Sequence, residues 1–162
     1  MPQLPERKPS IHDVCDFIIH RATAGGVALS HIKLQKLLYY VQAWKLAFDE
    51  QTLFDGKFQA WVHGPVNREI YDRFVSTKSL YSPVCAEDMR SQDFLNRLSE
   101  DDLAHIENVL ETYMAFSGTQ LEEMTHKEQP WIEARVGLPD NARCGNHLDE
   151  KTMMTFYRSR LD

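Results

Sequence analysis

Ser30-His31-Ile32-Lys33-Leu34-Gln35-Lys36-Leu37-Leu38-Tyr39-Tyr40-Val41-Gln42-Ala43-Trp44-Lys45-Leu46-Ala47-Phe48 is the stretch on which the fold turns. Leu34, Leu37, Leu38, Val41, Trp44 and Phe48 recur at three- and four-residue steps, the spacing that stacks side chains on one face of an α-helix. Tyr39 and Tyr40 widen that stripe, and Ser30 stands where a hydroxyl caps a helix N-terminus. Lys33, Lys36 and Lys45 are assigned to the polar side. The pattern predicts a long amphipathic helix at the centre of the core. Leu34, Leu37, Leu38 and Trp44 are the expected buried anchors, joined by Ile70 and Phe74.

Toward the N-terminus, Ser10 and Asp13 have the spacing of a reciprocal cap. Val14, Phe17 and Ile18 follow at helical steps, and Gly25-Gly26 ends that helix because glycine adopts a left-handed cap cheaply. Residues 1–9 carry Pro2, Pro5 and Pro9, which forbid a helix, so a flexible arm is expected there. Toward the C-terminus the period changes. Asp55-Gly56 signals a turn, and Lys57 to Val62 alternates in the manner of a short strand. A lone strand needs a backbone partner. Thr52–Phe54 is the candidate partner in a small hairpin, with an extended segment packed on helices as the alternative.

His63-Gly64-Pro65 then turns the chain, with Pro65 in the first turn of a third helix. That helix carries Val66, Ile70, Tyr71 and Phe74 and ends near Lys78. Leu80–Gln92 is expected to be irregular. Ser99 with acids in the next turn opens a fourth helix bearing Leu103, Ile106, Val109, Leu110 and Tyr113. Ser117 restarts a short helix, Pro130-Trp131 begins another, 137–146 is loop, and a last helix spans about 149–161. The fold class is therefore mainly α: a single-domain bundle (10–162) of about six to seven helices, with a short β-hairpin or extended segment around 52–62.

The chain has 162 residues and a net charge of −6, and its lysines and arginines are scattered among acids. The phosphate backbone of a nucleic acid would repel it, whereas a basic protein partner would be favoured. No apolar run approaches the ~20 residues of a membrane span, and the N-terminal stretch lacks the apolar segment of a signal peptide. Cys15, Cys85 and Cys144 are odd in number and far apart, which fits reduced thiols in a cytoplasmic protein.

Chemistry-bearing motifs are sparse. Cys144 and His147 are spaced like half of a zinc site, but structural zinc wants four ligands and the second pair is missing. Neither a phosphate-binding glycine loop nor a dinucleotide fingerprint is present, so no cofactor, metal or catalytic residue is expected. What stands out is two polar turns beside large aromatics: Trp61 with His63-Gly64-Pro65, and Thr125-His126 with Pro130-Trp131. Structurally, glycine and proline would set the turns, the histidines would bond backbone, and the tryptophans would plug the core. Functionally, Trp61, His63, Gly64, Pro65, Tyr71, His126, Pro130 and Trp131 would make a binding surface with aromatic anchors.

These segments carry a family resemblance. Lys33 to Trp44 is similar to the signature helix of the Panacea domain, also described as SocA-like or GepA-like phage-associated domains. Leu53-Phe54-Asp55, Phe58-Gln59-Ala60-Trp61, His63-Gly64-Pro65-Val66, Ile70-Tyr71 and Phe74 continue in the family's order. Leu121, Thr125-His126, Glu128 and Pro130-Trp131 resemble its second block. His63 stands where the family often has another aromatic, and Asn67-Arg68 where a small or apolar residue and a proline are common. The resemblance implies an antitoxin of a toxin–antitoxin pair, of the kind carried on prophages, that neutralises a cognate protein toxin by direct contact. It also implies an alternative: an adaptor that delivers its toxin to a cytosolic AAA+ protease. It brings no catalytic residue with it. A small hydrolase and a repressor are the competing classes, the latter lacking a basic recognition helix. A homodimer is left open.

Overall fold

The computed structural model describes residues 8–161. Most of the expected N-terminal arm, residues 1–7, lies outside the described residues. Lys8 bonds Thr52 Oγ1 at 2.6 Å, and Pro9 is buried.

Eight α-helices form among the described residues, with one 3-10 turn at Ala86–Asp88 and one two-stranded hairpin. The helices are α1 (Ile11–Ala24), α2 (His31–Asp49), α3 (Arg68–Phe74), α4 (Phe94–Arg97), α5 (Glu100–Tyr113), α6 (Gly118–His126), α7 (Gln129–Ala134) and α8 (Glu150–Arg158). The single-turn α4 is the addition to the expected set. Helix starts follow local chemistry. Ser10, Ser99 and Ser117 each form a reciprocal cap with Asp13, Asp102 and Gln120, and Ser30 accepts from the Lys33 N–H at 3.2 Å.

The long helix α2 is the hub, packed against α1, α5, α6, α8 and the hairpin. Leu34, Leu37, Leu38, Val41, Ile70 and Phe74 are buried as expected, and Trp44 is partly buried. Phe48, last of the stripe, is 52% exposed.

The polar face assigned to α2 does not exist over its first thirteen residues, because every side chain from His31 to Ala43 is buried. Lys33 and Lys36 are therefore interior. Neighbours surround the helix, so its polar groups must find partners inside the protein. Lys33 Nζ donates to Met114 O at 2.6 Å, and Lys36 Nζ to Pro65 O at 2.8 Å. Gln35 Oε1 accepts from Asn67 N at 2.9 Å. Of the three lysines, only Lys45 keeps a partly exposed place, paired with Asp49.

The hairpin also differs from expectation. Strand β1 (Gln59–Trp61) pairs antiparallel with β2 (Gly64–Val66), in the register Gln59↔Val66, Ala60↔Pro65 and Trp61↔Gly64. Thr52–Phe54 is not its partner. Gln42 does that work for the earlier segment, accepting from Leu53 N at 2.8 Å and donating to Phe54 O at 2.7 Å. Pro65 and Val66 thus belong to a strand, and α3 is capped by Asn67, whose Oδ1 accepts from Ile70 N at 3.0 Å. The other edge of β1 takes a distant segment: Ala60 N donates to Asn146 O and Leu148 N to Phe58 O, both at 2.8 Å.

The C-terminal α8 is pinned by a buried carboxylate. Glu128 accepts from the hydroxyls of Tyr40 and Tyr157 at 2.8 Å each, and Arg160 approaches it at 3.2 Å. Burial pushes the Glu128 carboxyl above its usual range, while the two tyrosine hydroxyls and Arg160 hold it back.

Candidate functional site

Two turns that lie about sixty residues apart in sequence meet in one open cleft. The hairpin contributes Val62 and His63, and α6 and α7 contribute Glu122, His126, Trp131 and Ile132. The cleft has a volume of about 630 Å³, within the range of roughly 300–1,000 Å³ usual for ligand sites.

Its floor is held by hydrogen bonds to the hairpin backbone. His126 Nε2 lies 2.7 Å from Val62 O; since a carbonyl only accepts, Nε2 carries the proton. Trp131 Nε1 donates to Trp61 O at 2.8 Å. The His126 and Trp131 rings lie 4.3 Å apart, tilted by 31°. Burial lowers the His126 pKa and outweighs the bond to Val62 O, so the ring is neutral at pH 7. The backbone-bonding role expected for His126 is thus present, and the same contact places its ring in the cleft.

Arg135 fastens the outer wall. It is 4% exposed and donates to Ala60 O at 2.7 Å, Ala142 O at 2.7 Å and Pro139 O at 3.0 Å. The guanidinium also lies 5.0 Å from the centre of the Trp131 ring. It ties the 137–142 loop to β1.

Beneath the hairpin lies Lys36, fully buried, its ammonium pushed down to about 7 by burial. Gly64 makes room for it. A Cβ at Gly64 would stand 2.6 Å from Lys36 Cε and 2.7 Å from Thr125 Oγ1, and its φ of +93° is one that other residues rarely adopt.

The eight expected site residues therefore divide. His63, His126 and Trp131 line the cleft together. Gly64 and Pro65 are buried under it in β2, and Pro130 is buried at the start of α7. The Trp61 backbone supports the cleft, but its ring pairs with Tyr71, 4.8 Å away, in a separate patch under Arg68. Tyr81, Glu122, Arg135, Ile132, Val136 and Leu138 also line the cleft and were not expected there. The available signal was a set of apolar residues, Ile132 in α7 and Val136 and Leu138 just after it, spaced through a polar stretch.

The cysteines sit apart from this site. Burial pushes the Cys15 thiol up to about 12, Cys85 is exposed, and Cys144 is partly buried. Among the described residues no three His, Cys, Asp or Glu side chains converge as metal ligands do. No described helix is long and apolar enough to cross a membrane.

Comparison with known proteins adds a lineage to this geometry. Residues 34–132 match the family described as "Antitoxin SocA-like, Panacea domain". That span includes α2 from Leu34 onward, the hairpin, α6 and the start of α7. Across 98% of its length the chain is 27% identical to the protein named "Antitoxin SocA" from Caulobacter vibrioides (strain NA1000 / CB15N), covering 88% of that relative. No solved structure matches the chain significantly.

Proposed function

Because the chain belongs to the antitoxin SocA-like, Panacea domain family, we propose that it is a cytoplasmic antitoxin that neutralises a cognate protein toxin by direct binding, without catalysis, through the cleft between the β1–β2 turn and α7. One observation carries the reading: the matched segment folds so that its two unusual turns meet in a single cleft, whose outer rim is the stretch 135–140 that follows it. Rigid helices hold the frame, and turns at the edge present the variable contacts, the usual division between scaffold and binding loops.

Co-expression with the toxin encoded beside it tests the assignment. Val136→Asp at the cleft rim is expected to abolish growth rescue. Phe48→Asp, at an exposed position outside the cleft, is expected to keep it. Rescue that survives Val136→Asp and fails with Phe48→Asp moves the binding face elsewhere.

The net charge of −6 supports electrostatic capture of a basic toxin surface. Association should slow steeply with added salt, and a salt-independent rate removes that part of the reading. A second groove of about 650 Å³, beside Lys33 and Met114, favours a further reading: an adaptor holding a toxin and a protease at once. Blotting the toxin separates the two. A blocked toxin accumulates in complex, and a delivered one disappears only when the AAA+ protease is present.

A further inference from the structure

Eight large hydrophobic side chains are exposed among the described residues, and four of them line this one cleft: Tyr81 at 58%, Ile132 at 40%, Val136 at 76% and Leu138 at 39%. Exposed apolar side chains gathered at one place mark an interaction surface more than scattered ones do. The charges of the cleft then decide what kind of group it receives.

Its cations face inward with their outer nitrogens bonded to carbonyls, and the Arg135 Nε, without a partner among the described residues, is buried away from solvent. Arg135 donates to Ala60, Pro139, Asp140 and Ala142 carbonyls, and Lys36 to Pro65 O. Its carboxylates are differently placed. Glu122 has a side chain 16% exposed, and its ion-pair partner among the described residues is His63 Nδ1, at 3.4 Å. That same nitrogen faces the Tyr81 hydroxyl at the shorter distance of 3.1 Å. Lys36 lies near enough for the Glu122 charge to be felt, but its ammonium bonds the carbonyl. Asp140 adds a second carboxyl-bearing residue to the wall.

We propose that the cleft receives a basic side chain of the partner, best an arginine, carried between apolar neighbours. This deepens the antitoxin reading, on which it rests, by naming the chemistry of the toxin segment that docks. An anionic group would meet Glu122 and Asp140 with both cations already committed. A purely apolar group would cover Glu122 and desolvate a carboxylate answered by little more than His63 Nδ1 at 3.4 Å, which is costly. A guanidinium answers Glu122 with two hydrogen bonds and stacks on Tyr81, His63 or Trp131. Its aliphatic stem lies along Ile132, Val136 and Leu138.

The test selects a phage-displayed random peptide library on the full chain. Resynthesised winners are measured by calorimetry and by amide chemical shifts. Winners are expected to carry arginine or lysine flanked by apolar residues, with shifts centred on 132–138. Replacing the peptide's base by norleucine, or Glu122→Gln in the protein, should each weaken binding about tenfold, the loss of one charge-assisted bond of ~1.4 kcal/mol. The peptide-side change keeps the test independent of how the protein variant folds. Winners without a base, shifts elsewhere, binding unmoved by both replacements, or no selectable peptide overturns the proposal.

Toxin rescue separates this failure from that of the function. If Val136→Asp abolishes rescue while Glu122→Gln rescues and binds like the wild type, the antitoxin reading stands and the basic chemistry falls. If basic peptides bind as described and both variants still rescue, the cleft takes a cation and the neutralising face lies elsewhere.

Discussion

The first thirteen residues of α2 and the rim at 131–140 invert each other. The helix buries His31, Lys33, Gln35, Lys36 and Gln42, while the rim exposes Ile132, Val136 and Leu138. Each placement has a local cause. Four of those five polar side chains are met by backbone groups from other elements, Met114 O, Pro65 O, Asn67 N and Leu53 N, and His31 Nε2 lies 3.1 Å from Gln35 Nε2. The rim's apolar groups stand at the surface of a loop that Arg135 fastens to β1 through the Ala60, Pro139 and Ala142 carbonyls. Interior polarity here serves architecture, and exterior hydrophobicity is what the proposed binding face would use.

The largest expected effect tests the helix. Leu38 is fully buried, and Leu38→Ala should cost ~2–5 kcal/mol by lost transfer energy and cavity formation. An unchanged denaturant midpoint would show that α2 is not the hub. Gly64→Ala comes next, expected to cost about 2–3 kcal/mol through the strained φ and the clash with buried Lys36. If it melts like the wild type, the tight fit between α2 and the hairpin is wrong.

Lys36 gives a pH signature. Its folded pKa of about 7 lies below the ordinary value of 10.5. Between those values the unfolded chain holds a proton that the folded chain has released, so stability rises with pH across the window. The gain approaches about 1.4 kcal/mol per pH unit at most. Below about 7 both states are protonated, and the full penalty of burying the charge remains. The buried Tyr39, Tyr40 and Tyr157 have pKa values raised by burial. They oppose the trend once tyrosines ionise in the unfolded chain, near pH ~10. Urea titrations from about pH 7 to 9 should therefore show a rising wild-type stability that Lys36→Met lacks; parallel curves would place the ammonium in contact with water. The smallest stability effect belongs to the rim. Val136→Asp should shift stability by less than ~0.5 kcal/mol, since Val136 is 76% exposed. A large loss would mean that the rim is structural.

Much of the fold was legible because its causes are short-ranged. The serine caps act across three residues, so Ser10, Ser30, Ser99 and Ser117 could be read off directly. The leucine stripe of α2 follows from helical spacing alone. The hairpin partner was misassigned because Gln42, on α2, satisfies Leu53 and Phe54, a contact that no local pattern announces. The site was half legible. His63, His126 and Trp131 stood out as polar turns beside aromatics, but Tyr81, Glu122 and Val136 have unremarkable neighbours in sequence.

By itself, then, the sequence determined seven of the eight helices, the serine-capped starts, the hydrophobic hub and the family, because periodicity, capping and motif order are all written within a few consecutive residues. Only the tertiary structure decided that Lys33 and Lys36 lie inside, that β1 pairs with β2, and that two distant turns share a cleft. Those outcomes depend on which backbone groups from remote elements arrive to satisfy a buried donor or acceptor. That is a property of the assembled chain.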